Sequence, residues 1–343
     1  MDTPETNPLG EIAPRSASEP PPAAPRSPAD YGNLPIYHVP APAIQDVYVP
    51  NIAWRRRRLL PLVLFLLACC TTFAAGVAHW NGDFIEWKTF SHELAANWPD
   101  GLKYMVGVIG ILLAHEMGHF LMAVYHDVPA SFPYFIPVPL LLTGTMGAVI
   151  RMQGARADRK QIFDIGIAGP LAGLVVAVPI LIVGILQAQL IPVAAAPGSI
   201  RLGNPLIVDW LVPLLRPEAA SAGNWTLNVQ SNPWAMAAWL GMLLSGLNMM
   251  PVSQLDGGHV IYGLFGPSSR KIARAFLISV IGYMIVTDNF FWLVMVIFVV
   301  MIGVDHPPTA NDRVELGRTR RILGWLSLAI PVLCFTPLPF IEG

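Results

Sequence analysis

The strongest constraint on this chain is the length of its uninterrupted apolar runs. The first, Leu59–Val77, carries no charged residue and is long enough to cross a hydrocarbon core of about 30 Å as a helix. Six later runs are also largely apolar: Tyr104–Tyr125, Phe163–Leu186, Pro233–Met250, Ile272–Val286, Phe290–Val304 and Ile322–Phe335. We therefore predict an all-α polytopic membrane protein with about 6–7 transmembrane helices.

Composition and spacing refine this prediction. The chain is 54% hydrophobic and 13% charged, whereas soluble domains carry about 25% charged residues. Its net charge of −1 gives no reason to expect a nucleic acid as partner. Only Thr287-Asp288-Asn289 separates the runs Ile272–Val286 and Phe290–Val304, which are both short. These two runs form either a tight helical hairpin or one broken re-entrant element.

Residues 1–52 differ from the rest of the chain. They contain 12 of the 33 prolines, together with Ser, Ala and Glu. Such a segment cannot bury enough apolar surface to fold alone, so we predict a disordered, Pro-rich tail followed by a transmembrane domain over residues 53–343. The tail has neither the apolar core of a signal peptide nor the composition of a transit peptide.

The distribution of Lys and Arg predicts the orientation, because cytoplasmic loops carry the excess of these residues. If the tail is cytoplasmic, that side receives 15 Lys and Arg residues flanking the spans, and the opposite side receives four. Four of the 15 are consecutive, at Arg55–Arg58. We therefore expect a bacterial cytoplasmic membrane, with the N-terminus inside and the C-terminus outside.

The second apolar run contains the pattern His115-Glu116-Met117-Gly118-His119. Residues four apart share one face of a helix, so His115 and His119 can offer ring nitrogens to one metal ion. Glu116 is free to act as a general base on water, whose pKa a bound zinc lowers to about 7. Ionisable residues inside a membrane span are expensive and usually functional, which favours a shared metal over a polar core.

A second pattern, from Asn248 to His259, closes the fourth run. Pro251 ends or kinks the helix, and Gly257-Gly258 lets the backbone turn. Asp256 is then a carboxylate at or near membrane depth. With the first pattern in place, Asp256 is the natural third ligand of the metal.

Together the two patterns resemble the site-2 protease family of intramembrane zinc metalloproteases. The resemblance covers about residues 104–265, a three-helix catalytic core, and includes Gly144-Thr145-Met146-Gly147 and Gly169-Pro170-Leu171-Ala172-Gly173. It implies that His115, His119 and Asp256 bind Zn²⁺, that Glu116 is the base and that Asn248 lies near the scissile peptide. Many members have Asn where this chain has Gly173, so no role in orienting substrate is carried over there.

The remaining histidines have weaker signals. His38, His79, His92 and His306 are expected in solvated segments without a metal role, and His126 at the cytoplasmic edge of its span. His259 follows Asp256 by one helical turn and could hydrogen-bond the site without binding the metal.

The segment Ser131–Gln153 is a candidate for holding substrate. Pro133, Pro137 and Pro139 forbid a regular helix in its first half, and Ala148-Val149-Ile150 favours a strand in the second. We expect a re-entrant hairpin or loop whose edge near Gly147–Arg151, including Val149, pairs with an extended transmembrane substrate.

Two further interpretations remain open for the two patterns. Two histidines and a carboxylate also bind iron, although a base beside the metal is typical of hydrolysis. A polytopic transporter uses intramembrane carboxylates and histidines as proton relays, but often shows repeated halves, which are not visible here. A metal-binding protein without protease activity is the last alternative.

Overall fold

The computed structural model describes residues 58–80, 87–139, 143–192, 200–218, 225–227, 232–252, 254–307 and 309–342. The predicted tail and most of the arginine cluster lie outside the described residues. The described part of the chain is mostly helical. Its α-helices are α1 Leu59–Val77, α2 Trp87–Tyr125, α3 Arg159–Gln187, α4 Leu206–Leu215, α5 Pro233–Asn248, α6 Asp256–Phe265, α7 Ser269–Thr287, α8 Leu293–Ile302, α9 Arg318–Ser327 and α10 Ala329–Cys334.

Three of these helices are long and apolar enough to cross a membrane: α1, residues 90–125 of α2, and α3. The structure thus shows a membrane protein, while the later predicted spans are shorter than expected. Helix α5 has 16 residues and α8 has 10. The last predicted span is divided between α9 and α10, where Pro331 cannot donate a backbone hydrogen bond to the preceding turn.

The short runs after α6 form two separate helices, α7 and α8. Helix α7 ends at Asp288, which adopts a left-handed conformation with a φ of 50°. Asp tolerates this conformation better than most residues and so ends the helix there. Of the two arrangements left open by the sequence, the structure has two helices joined by a short turn.

Small residues bring α2, α3 and α5 into close contact. A Cβ atom added at Gly118 would lie 2.5 Å from the carbonyl oxygen of Ala168 on α3, and one at Gly107 would lie 2.7 Å from the Cβ of Ala237 on α5. Close backbone approach through glycine and alanine is the usual way for membrane helices to pack, since lipid gives no hydrophobic driving force between them. These contacts set the spacing of the helices that carry the site.

The segment between α2 and α3 forms an antiparallel hairpin, β1 Tyr134–Pro137 and β2 Thr145–Val149, as its prolines and β-compatible run predicted. Tyr134 pairs with Val149, and Phe135 pairs with Ala148. The hairpin packs against α1, where the rings of Phe65 and Phe135 lie 5.2 Å apart. Strand β2 of the hairpin also contacts α2, the span that carries His115 and His119.

Two further strand pairs join distant parts of the chain. Strand β3 (Leu190–Pro192) pairs with β5 (Trp225–Leu227), and β4 (Ile200–Leu202) pairs with β6 (Phe340–Glu342). The second pair brings the C-terminal residues to the segment that follows α3. Both strands of this pair must therefore lie on the same side of the membrane.

At the opposite end of α3, Asp164 joins three helices. The guanidinium group of Arg320 on α9 donates two hydrogen bonds to its carboxylate, at 2.6 and 2.8 Å. The Nε2 atom of His126, just after α2, lies 2.9 Å from the same carboxylate. His126 therefore has a buried partner at the end of its span.

Candidate metal centre

The two spans predicted to carry the site meet at three side chains. His115 and His119 lie one turn apart on α2, and Asp256 is the first residue of α6. The Nε2 atoms of His115 and His119 lie 3.1 and 3.2 Å from Oδ2 of Asp256. These ligand atoms all lie within 4.8 Å of one another, and both histidines are buried. The structure thus brings together the three residues predicted as ligands, although many residues separate α2 from α6.

The hydrogen bond of His119 to the backbone leaves its other ring nitrogen available to a cation. Its Nδ1 atom donates to the carbonyl oxygen of Ile165 at 2.7 Å, so in the neutral ring Nε2 has a lone pair and no proton. That lone pair faces the Asp256 carboxylate, and two facing acceptors repel each other. A metal ion bound by both atoms removes the repulsion, and a backbone carbonyl behind the ring is a common support for a metal-binding histidine.

Glycines of α3 leave room for the two histidine rings. A Cβ atom at Gly169 would lie 2.0 Å from Nε2 of His119, and one at Gly173 would lie 3.2 Å from Nδ1 of His115. The larger residue found at the second position in many site-2 proteases would therefore press on His115 here. The departure at Gly173 thus places a small residue beside His115, one of the predicted ligands.

Glu116 is 4% exposed and lies beside the three converging side chains without being one of them. The backbone N–H of Ile150, directly after β2, points toward its carboxylate. This contact ties the hairpin to the predicted base. No residue type could have predicted this contact, because any residue except proline supplies a backbone N–H.

Asn248 ends α5 next to the centre. Its Nδ2 atom lies 3.4 Å from Nε2 of His115. The chain then turns back toward α6, and a Cβ at Gly257 would lie 2.1 Å from the carbonyl oxygen of Met249. The turn is thus tight enough to require glycine, and it brings Asn248 and Asp256 to the same side of His115.

Gly147 and Val149, the hairpin residues predicted to bind substrate, both lie on β2. The chain continues from β2 to Ile150, beside Glu116. Val149 is half-exposed and its backbone pairs with Tyr134. Gly147 has a φ of 107°, a conformation that other residues rarely adopt. Within the described residues β2 pairs only with β1, so its other edge has no strand partner.

The prediction for His306 was wrong. It was expected in a solvated segment, but it is 7% exposed and its Nε2 atom lies 2.7 Å from Nδ1 of His259. His259 is also buried, and its described hydrogen bond goes to His306 rather than to Asp256. His92 lies within α2, while His79 is partly exposed and lies near Asp100. His38 is outside the described residues.

Comparisons with known proteins agree with this geometry. A family model described as Peptidase family M50 matches residues 103–287. The Arabidopsis thaliana protein named "Probable zinc metalloprotease EGY1, chloroplastic" is 28% identical over 84% of this chain and 54% of its own length. Its Oryza sativa subsp. japonica counterpart is 29% identical over 84% of this chain and 52% of its own length. The Arabidopsis protein named "Probable zinc metalloprotease EGY2, chloroplastic" is 25% identical over 70% and 42%.

The chain spans about half the length of these curated relatives. No solved structure shows a significant match to it.

Proposed function

Because this chain belongs to peptidase family M50, the family of site-2 proteases, we propose that it is an intramembrane zinc endopeptidase that cuts membrane-embedded proteins. One observation carries the proposal above all others. His115, His119 and Asp256 converge beside Glu116 on a helix long and apolar enough to cross a membrane. Hydrolysis needs this combination of a three-ligand metal site and an adjacent base, whereas metal storage or transport does not need the base.

Each of these residues has a separate role in the proposal. His115, His119 and Asp256 hold zinc, which when bound lowers the pKa of water and polarises a carbonyl group. Glu116 takes the proton from the attacking water and later delivers it to the leaving amine. The Ile150 N–H keeps the Glu116 carboxylate oriented for this task. Asn248, 3.4 Å from His115, is close enough to contact the scissile peptide.

We propose that the substrate pairs with the free edge of β2. A peptide bond within a helix is shielded, so the substrate must unwind, and its freed backbone groups then need partners in the membrane. Backbone groups of alternate residues in a strand face opposite edges. Val149 pairs with Tyr134, so its backbone groups face β1. The backbone groups of Ala148 and Ile150 therefore face the other edge of β2, where the Ile150 N–H lies beside Glu116. A substrate strand paired near Gly147 and Ala148 would therefore lead directly toward the base.

We propose that the protein lies in a bacterial cytoplasmic membrane with its N-terminal tail in the cytoplasm. It would cross the membrane about 6–7 times, with the metal centre in the cytoplasmic half of the bilayer. The excess of Lys and Arg on one side supports the orientation. The pairing of β4 with β6 supports the span number, because the chain must cross the membrane an even number of times between these strands. The proposal counts α5, α7, α8 and the α9–α10 pair as four such crossings, with α8 extended by the apolar residues on either side of it.

The proposal is tested with the purified full-length chain, single-span helical substrates and the variant Glu116→Gln. We expect the variant to lose cleavage and keep its zinc, because the glutamate is a base and not a ligand. Asp256→Ala serves as the contrast, since it should lose both zinc and cleavage. Measured zinc content and turnover decide the outcome. Full turnover in Glu116→Gln contradicts the mechanism, and absence of cleavage in the zinc-loaded parent favours a metal-binding protein or a transporter.

A further inference from the structure

The loop between α8 and α9, residues 303–317, lies against the helix that supplies Asp256. This loop lies outside residues 103–287, the part of the chain that the family model matches. Its His306 is buried although prolines follow it, and its ring stacks on Tyr262 of α6 with centroids 4.2 Å apart. A buried polar side chain in such a loop needs an explanation from its partners.

The hydrogen bonds of His306 determine which ring nitrogen is protonated in His306 and in His259. The Nδ1 atom of His306 donates to the carbonyl oxygen of Pro307 at 2.5 Å. Its Nε2 atom is then an acceptor in the neutral ring, so the bond of 2.7 Å is donated by Nδ1 of His259. Burial lowers the pKa of His306, which agrees with a neutral ring at pH 7. His259 is consequently held as the Nδ1–H tautomer, with its Nε2 atom unprotonated.

The loop is anchored just after His306, by residues 309–312. The hydroxyl group of Thr309 donates to the carboxylate of Asp312 at 2.6 Å, and this carboxylate lies beside the hydroxyl group of Tyr262 on α6. The backbone N–H of Ala310 donates to the carbonyl oxygen of Ala157 at 2.9 Å, just before α3. The loop that carries His306 is therefore attached both to α6 and to the segment before α3.

His259 connects the contact with His306 to the first turn of α6. Its backbone N–H donates to the carbonyl oxygen of Leu255 at 3.1 Å, closing the turn that contains Asp256. On its other side, a Cβ atom at Gly166 would lie 2.6 Å from the Cβ of His259, so α3 leaves no room for the residue to move. The side chain of His259 is thus confined between α3 and the loop.

We propose that His306 is a positioning residue for the metal centre, which accepts the Nδ1–H of His259 and thereby holds the first turn of α6 and its Asp256 in place. The α8–α9 loop then belongs to the functional unit although it lies outside the residues that the family model matches. The inference rests on the zinc centre proposed above, but its readouts do not depend on cleavage.

Two substitutions at residue 306 separate the hydrogen bond from packing. His306→Phe keeps a flat ring to stack on Tyr262 but removes the acceptor. His306→Gln loses the ring but places an amide oxygen near the position of Nε2. If the acceptor matters, zinc should leave the Phe variant into excess chelator about tenfold faster or more, as is usual when a supporting partner of a metal ligand is removed. The Gln variant should stay within about threefold of the parent.

His126→Phe is the matched control. His126 is a partly buried histidine with a carboxylate partner on the same side of the molecule, but its described side-chain bond goes to Asp164 and not to α6. Its zinc release should equal that of the parent even if its melting temperature falls. Equal zinc release from the His306→Phe variant and the parent, or equally fast release from the Phe and Gln variants, overturns the proposal.

A double-mutant cycle tests whether the two histidines act through one bond. His259→Phe alone should accelerate zinc release about as much as His306→Phe, and the double variant should be no faster than either. Multiplied effects in the double variant would mean that the residues act independently, against the proposal.

The tautomers can also be read from the unaltered protein, which removes any dependence on how the variants fold. Nitrogen-15 NMR of labelled histidine should show His306 and His259 both protonated at Nδ1. A proton on Nε2 of His259 overturns the proposal. A protein that shows these tautomers but binds no zinc would contradict the proposed function and leave the histidine contact intact.

Discussion

At the scale of single residues, the distance between α3 and the metal centre leaves no space for a methyl group. A Cβ at Gly169 would lie 2.0 Å from the ligand atom of His119, well inside van der Waals contact. Glycine is therefore required at this position for a reason of space. The neighbouring Gly173 has slightly more room, with the nearest atom of His115 at 3.2 Å.

We predict that Gly169→Ala displaces the His119 ring and lowers zinc affinity by at least about tenfold, with a loss of roughly 1–3 kcal/mol in stability from overpacking. Zinc competition and thermal unfolding in detergent measure the two effects. Gly110→Ala on α2 is the control, because a Cβ there meets nothing within 4 Å. A Gly169→Ala protein that binds zinc like the parent would show that α3 can move away at little cost.

The sequence predicted the site residues whose side-chain chemistry indicates their role. It missed the residues whose role depends only on where the fold places them. His115, Glu116, His119 and Asp256 have side chains that are costly in a membrane and have few uses there, so their pattern was informative. Ile150 acts through a backbone N–H, which any residue except proline would supply. His306 was missed because the prolines beside it suggested a solvated loop, and only the fold shows its partner.

At the scale of elements, the hairpin makes the proposal about substrate testable residue by residue. Ala148 faces the free edge, while the N–H of Ile150 already serves Glu116. A proline at 150 would therefore disturb the base as well as the edge, and its effect could not be assigned. Position 148 is the more informative site.

We predict that Ala148→Pro lowers kcat/KM for a membrane substrate by about tenfold or more, equivalent to losing roughly 1.4 kcal/mol of transition-state binding, with zinc content unchanged. The control is Val149→Ala, which trims a half-exposed side chain and keeps every backbone donor. Its kcat/KM should remain within about threefold of the parent. Normal cleavage by Ala148→Pro would exclude strand pairing at this edge.

Element boundaries were predicted best where one physical cause dominates. Helices α1 and α3 agree with their apolar runs to within a few residues, because length and hydropathy suffice to define a span. Helix α2 extends well before Tyr104 into a more polar stretch, where Trp87 to Asp100 continue the helix despite Pro99. Hydropathy alone does not register such an extension, since the helix continues beyond the apolar segment.

At the scale of the whole molecule, two contacts between distant parts of the chain constrain the topology. Strand β6 pairs with β4, and the α8–α9 loop bonds to the start of α3 through Ala310 and Ala157. Each contact requires its two segments to share one side of the membrane. The charge distribution assigns these sides independently, and the two assignments are consistent.

The test uses single cysteines at positions 204 and 313 in a chain whose native Cys69, Cys70 and Cys334 have been replaced. We predict that Asn204→Cys and Arg313→Cys face opposite sides of the membrane. Both positions are exposed and belong to the segments before α4 and before α9. An impermeant maleimide added to intact cells should label position 204 and reach 313 only after lysis. Labelling of both from outside would disprove the span count, and labelling of 313 alone would reverse the orientation.

If β2 receives the substrate, the proximity of Ile150 to Glu116 would have a kinetic consequence. The strand proposed to receive the substrate is also the strand that steadies the base, so a well-paired peptide would stiffen β2 and the base together. A peptide that enters without pairing would meet a loosely held carboxylate and dissociate intact. Selectivity would then appear as a difference in turnover rather than in affinity. Substrates would be selected by how easily their helix unwinds more than by any particular sequence of side chains.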